Sequence, residues 1–255
     1  MIPDFLKKFE ADLKKYEREF VKIKAKPRRE KIPEDNLELV DSKFLGLPFF
    51  PKEKEYPKDR NGKPMIMIAQ LNFEQVPKLE HFPENGILQL FLSSTDWYDE
   101  DSKIIYHSKD DLNLQATTDF SFISTKDYEE IPIYKLHQLS FEKRIDKGGS
   151  EDSQFDFLFD GTDYWDFTES LNEEQEKQFG EYFDSMGHKI GGYAEFTQSD
   201  PRDYNAEQRN DIQVLQIDVD DHIMFGDSGL GHIFINKENL INKEFSKAYF
   251  YWDCC

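Results

Sequence analysis

Ser42-Lys43-Phe44-Leu45-Gly46-Leu47-Pro48-Phe49-Phe50 returns, 146 positions later, as His188-Lys189-Ile190-Gly191-Gly192-Tyr193-Ala194-Glu195-Phe196. At the same offset, Ile66-Met67-Ile68-Ala69-Gln70-Leu71-Asn72-Phe73 returns as Ile212-Gln213-Val214-Leu215-Gln216-Ile217-Asp218-Val219. Two further blocks follow in the same order. Gly86–Leu92 matches Gly229–Ile235, and Ser102–Tyr106 matches Ser246–Phe250. Each block reads as a short apolar strand or a Lys-x-x-Gly turn. Strands joined by connections this short pair antiparallel, because parallel pairing needs crossovers of about a dozen residues or more. A three-strand unit buries one face only, so two such units are expected to share a core.

The fold predicted from this echo is α+β: a mostly antiparallel sheet with flanking helices, duplicated internally in a pseudo-two-fold arrangement. It is expected as a single domain over 1–255, built from repeats at about 1–106 and 170–255 and joined by an acidic insert, 107–169. The flanking helices are read from two segments. Phe5, Phe9, Leu13, Tyr16, Phe20 and Ile23 step by three and four, placing them on one helix face that ends at Pro27. Ser170-Leu171-Asn172-Glu173 fits a capping box, and Gly187 suits a left-handed helix end.

Composition narrows the function classes. The chain has 255 residues, a net charge of −20, 23 Phe and 12 Tyr. Residues 1–31 hold 11 Lys/Arg against 6 Asp/Glu, whereas 107–187 hold 7 basic and 20 acidic residues. Such a surface repels phosphate, so neither nucleic acid nor an anionic membrane is an expected partner. The basic stretch Lys22 to Lys31 is expected to dock on the acidic body. No apolar run approaches the roughly 20 residues of a membrane span, and a polar helix rather than a signal peptide follows Met1. The only cysteines are the neighbours Cys254 and Cys255, which provide no disulfide framework. A cytoplasmic location is expected.

The chemistry-bearing candidates are few. Gly226-Asp227-Ser228-Gly229 resembles the segment around a protease or esterase nucleophile, which makes Asp227 and Ser228 weak catalytic candidates. Gly, Asp and Ser are equally the residues of a tight turn. Asp218, Asp220, Asp221 and Asp227 lack the spacing of a calcium loop, and Ile223 stands where the bend needs glycine. Histidines 81, 107, 137, 188, 222 and 232 show no ligand spacing, so no metal and no cofactor is predicted. No phosphate-binding glycine loop occurs.

Two sets of binding candidates remain. Gln70 with Gln216, and Asn72 with Asp218, are polar residues at matching places in apolar strands. They either line a groove on the pseudo-axis or tie each strand to a neighbouring loop, the second being the more ordinary use. Asp156, Asp160, Asp163, Asp166 and Glu169 are interleaved with Phe155, Phe157, Phe159, Tyr164, Trp165 and Phe167. A paired-carboxylate glycosidase is one reading of that segment, and a protein-binding surface anchored by Tyr164 and Trp165 is the other.

Leu45-Gly46-Leu47-Pro48, Ile68–Phe73, Gly86-Ile87-Leu88-Gln89 and Phe225–Gly229 together resemble the YwqG-like family, bacterial cytoplasmic proteins without an assigned function. The resemblance runs from about residue 30 to 253. It implies a mixed α+β fold with internal duplication and supplies no catalytic or binding residues. Ala194 stands opposite Pro48, a departure between the two copies.

The function expected on these grounds is that of a non-catalytic acidic protein that binds a basic protein, immunity-like in the sense of neutralising it. A monomer or weak homodimer is expected. The alternative is a hydrolase or small-ligand-binding protein with a site between the repeats near Asp218 and Ser228.

Overall fold

A computed structural model describes residues 1–29 and 34–255. Ten strands form one sheet: β1 Arg18–Pro27, β2 Lys43–Phe44, β3 Ile66–Asn72, β4 Ile87–Leu92, β5 Ser102–His107, β6 His137–Asp146, β7 Lys189–Gly191, β8 Ile212–Ile217, β9 Leu230–Ile235 and β10 Tyr249–Asp253. Their order is β10-β9-β8-β7-β1-β6-β2-β3-β4-β5, and every pairing is antiparallel. The two edge strands approach each other across an aromatic seam, in which Trp97 lies 5.0 Å from Trp252 and Tyr106 lies 5.0 Å from Phe245. The sheet is thus a nearly closed barrel. The expectation of an α+β fold with flanking helices is corrected. The α-helices are four short ones among the described residues: α1 Glu10–Leu13, α2 Tyr164–Glu169, α3 Glu173–Tyr182 and α4 Lys237–Ile241.

The physical reason lies first in residues 18–27. Helical stepping from Phe5 holds only through the 3-10 turn Asp4–Phe9 and α1. Beyond it, Val21-Lys22-Ile23-Lys24-Ala25-Lys26 alternates strictly, and Val21 and Ile23 are buried on one face of a strand. That strand pairs with β6 along ten residues, with Lys24 opposite Ser140, and its Lys24 ammonium lies 2.7 Å from Glu142. The basic stretch runs through this strand, while its end at Glu30 and Lys31 lies outside the described residues. The second helix begins two residues later than the capping box predicts. Asn172, not Ser170, accepts from the amide of Gln175, whose side chain bonds back to Asn172.

The strand order reads the same from either end. β2–β5 occupy one half and β7–β10 the other, and the first strands cross over: β1 pairs with β7, and β6 pairs with β2. Matching irregularities fall at matching sites, with register shifts between Met67 and Ala69 and between Gln213 and Leu215. Leu88 faces Tyr106 and Gly231 faces Trp252, so the last strands correspond at an offset of 146. The alignment of Ser102–Tyr106 with Ser246–Phe250 is therefore two residues out of register.

Inward-facing Ile66, Ile68, Leu88, Leu90, Ile217, Ile233 and Phe250 fill the barrel with apolar side chains. Leu79 and Phe82 at one place, and Ile223 and Phe225 at the corresponding one, extend that core from the loops after β3 and β8. Outside the sheet, α1 and α3 pack on Phe155, Phe157 and Phe159 as a second, largely aromatic core.

The Lys-x-x-Gly echo has a structural cause. Lys43 Nζ lies 2.9 Å from Asp35 Oδ2, and Lys189 Nζ lies 3.1 Å from Asp146 Oδ2, with all four side chains buried. The same carboxylate oxygens accept from the amides of Leu47 and Tyr193. Gly46 and Gly192 have φ of +97° and +75°, and a Cβ on either would come within 2.6 Å of its aspartate. Each glycine thus clears space for a buried ion pair at a left-handed turn.

Candidate functional site

The segment that follows β6 lines an acidic, aromatic groove. Its floor is an ion cluster. Arg202, on a 3-10 turn at Pro201–Tyr204, is almost wholly buried; its Nε lies 2.8 Å from Asp200 and its Nη2 lies 2.9 Å from Asp152. Asp200 also accepts from the Ser153 hydroxyl at 2.8 Å, and Asp152 accepts from the amide of Ala194. Burial opposes ionisation of Asp200, but the Arg202 guanidinium brings its carboxyl below the ordinary value. These bonds lock residues 150–156 against 199–204.

Above this floor opens a groove of about 410 Å³. Trp165 and Tyr164, at the start of α2, form one wall, and Leu158 is another apolar lining residue. Glu151, Asp156, Asp163 and Asp203 also line it, with no Lys or Arg among the lining residues. Asp163 is held in place because its side chain caps α2 by accepting from the Asp166 amide at 2.9 Å. Trp165 is braced edge-to-face on Tyr164, with ring centroids 5.4 Å apart, yet remains 56% exposed. Burial raises the Glu151 carboxyl above its ordinary value. Burial also raises Glu195, and the charge of Glu151 adds to that rise. The Lys189 ammonium offsets part of the rise at Glu195. Among the described residues, none of Glu151, Asp156, Asp163 and Asp203 has an ion-pair partner.

The structure places the other sequence candidates elsewhere. Ser228 (φ +61°) and Asp227 are exposed on a turn closed by reciprocal bonds between Phe225 and Gly229. Among the described residues, no hydrogen bond or ion pair joins Ser228 to a histidine. The glycines of this segment fit a close approach to β10: a Cβ on Gly229 would lie 1.9 Å from the Asp253 carbonyl oxygen. Gln70 and Gln216 are fully buried ties to loops. Gln70 accepts from the Phe49 amide and donates to the carbonyls of Leu39 and Asp41; Gln216 accepts from Glu195 and donates to Ser185 and Gly187. Asn72 donates to the Val40 carbonyl, and Asp218 accepts from the Gly187 amide. Of the eight candidates, Tyr164 and Trp165 line one groove together.

Two groupings escape sequence spacing. His137, on β6, and His188, beside β7, lie 3.8 and 3.5 Å from Asp220 Oδ2. The Asp218 amide donates to His188 Nδ1 at 2.9 Å, so a neutral His188 carries its proton on Nε2 and points it at Asp220. That tautomer leaves His188 Nε2 no lone pair for a metal. Asp59, Asp96 and Asp101 bring ligand atoms within 4.8 Å of one another. Their oxygens are already engaged by Ser93, Asn61 and Arg60, respectively.

A nearly closed antiparallel barrel, carrying an acid-lined aromatic groove on its outer layer, defines the structural class of this protein. The chain belongs to the family described as Domain of unknown function (DUF1963), which matches residues 42–254. No curated protein matches it. No helix among the described residues is long and apolar enough to cross a membrane.

Proposed function

We propose that this chain is a non-catalytic protein that binds a basic protein partner through the groove beside Trp165, neutralising it in the manner of an immunity protein. The observation that carries this reading is a set of four carboxylates, without an ion-pair partner among the described residues, around an exposed indole on a rigid floor. Ordinary surface carboxylates are solvated singly. Here burial first, and then the charge of Asp253, disfavours the anionic form of Glu151, a cost that an incoming cation relieves. Tyr and Trp supply large contact area at low conformational cost, as anchors of protein interfaces do. The reading also sets the chain in the bacterial cytoplasm, with the YwqG-like proteins, as a monomer or weak homodimer. Its support is the block resemblance and a cysteine content limited to Cys254 and Cys255.

The test is capture from a native lysate at low and high salt by the intact chain, alongside a Glu151→Gln/Asp203→Asn variant. A basic partner held at low salt, released at high salt and lost by the variant supports the reading. Equal capture by both chains, or no salt-sensitive partner, overturns it.

A further inference from the structure

Resting on that reading, we infer that the groove selects arginine over lysine: the partner's determinant is a guanidinium laid on Trp165 and bonded to Glu151, Asp163 or Asp203. Three features of the site point to this group. The first is the exposed indole, fixed edge-to-face by Tyr164, beside a capping carboxylate that cannot swing away. A guanidinium stacks flat on such a ring while its edge donates to carboxylates, whereas an ammonium is a compact, strongly hydrated point charge. The second is the partial burial of Glu151, whose raised carboxyl favours a weakly hydrated cation that is cheaper to strip of water. The third is the use this chain makes of its own arginines. Arg202, behind the Asp152 and Asp200 that line the same groove, combines these two carboxylates with a place 4.8 Å from the Phe234 ring centre. Arg18 lies 3.9 Å over the Tyr193 ring.

The experiment compares capped peptides that carry several arginines with the same peptides carrying lysine, titrated into the full chain at low salt. Trp165→Ala is the second arm, and circular dichroism checks its fold; Trp165 is more than half exposed, so the core is not cut. The expected result is arginine binding about five- to tenfold tighter than lysine, with the difference falling to within about twofold in Trp165→Ala. Equal affinity for the two wild-type titrations overturns the arginine inference and leaves the acidic-groove reading standing. A preference that survives Trp165→Ala overturns the stacking geometry. No salt-sensitive binding by either peptide overturns both.

Discussion

Gln70 and Gln216 make the same bonds 146 residues apart: each accepts from an amide 21 positions upstream and donates to carbonyls 31 and 29 positions upstream. A side-chain amide on the outer face of a buried strand here replaces the ladder that a neighbouring loop lacks. Replacing either glutamine by leucine leaves those backbone groups buried without partners. Each substitution is expected to cost about 1–3 kcal/mol, read as a lower urea midpoint with an unchanged slope. The loss in Gln70→Leu should be the larger, because Gln89 also donates to Gln70 Oε1 at 2.7 Å.

Lys189→Met removes the charge that balances Asp146 in a site 1% exposed on both sides. A buried carboxylate left without its cation costs about 3–5 kcal/mol. Chemical denaturation should show a loss of that size, with Lys43→Met behaving alike against Asp35. Gly192→Ala should also destabilise by more than about 1 kcal/mol, because φ is positive and the new methyl meets Asp146. A neutral Gly192→Ala would overturn the clearance argument.

Stability should rise with pH between about 4 and 6.5. Burial first, then the charge of Lys54, lowers His107 to about 4; burial, then Arg202 and Lys189, lowers His232 to about 3. Both stay neutral in the native state while the unfolded imidazoles take up protons near 6.5. The unfolded state therefore binds more protons in that window, and each histidine adds up to about 1.4 kcal/mol per pH unit to the slope. This contribution is complete above about pH 6.5 and is lost as pH falls. His232→Gln should flatten the profile of unfolding free energy against pH by that amount; a parallel, merely displaced profile would contradict the assignment.

Groove substitutions should leave the fold intact. Asp203→Asn and Glu151→Gln remove like charges from a surface without ion-pair partners, so thermal midpoints should stay level or rise slightly. A loss above about 1 kcal/mol in either variant would show that these carboxylates serve the fold rather than a partner.

Much of the sheet is legible in the chain. Ile66–Phe73, Gly86–Leu92 and their echoes are apolar runs bounded by turn residues, and they become β3, β4, β8 and β9. β1 is harder, because Tyr16, Phe20 and Ile23 keep helical spacing while Val21, Ile23 and Ala25 alternate. Ten residues of pairing with β6 decide the contest in favour of the strand. Within the groove, Tyr164, Trp165, Asp156 and Asp163 stand out as acids interleaved with aromatics. Glu151 and Asp203, 52 positions apart, give no such signal, since the Arg202 cluster joins their loops only in three dimensions.

By itself the sequence determined the antiparallel strands, the doubled Lys-x-x-Gly turns and the acidic surface, because local periodicity and composition are properties of neighbours along the chain. Tertiary structure alone decided that the sheet curls into a nearly closed barrel, with β1 and β6 each crossing to the other half. It alone decided which carboxylates gather around Trp165. Those outcomes depend on which distant residues share a burial site, and burial sets both strand partnership and the balance of charge.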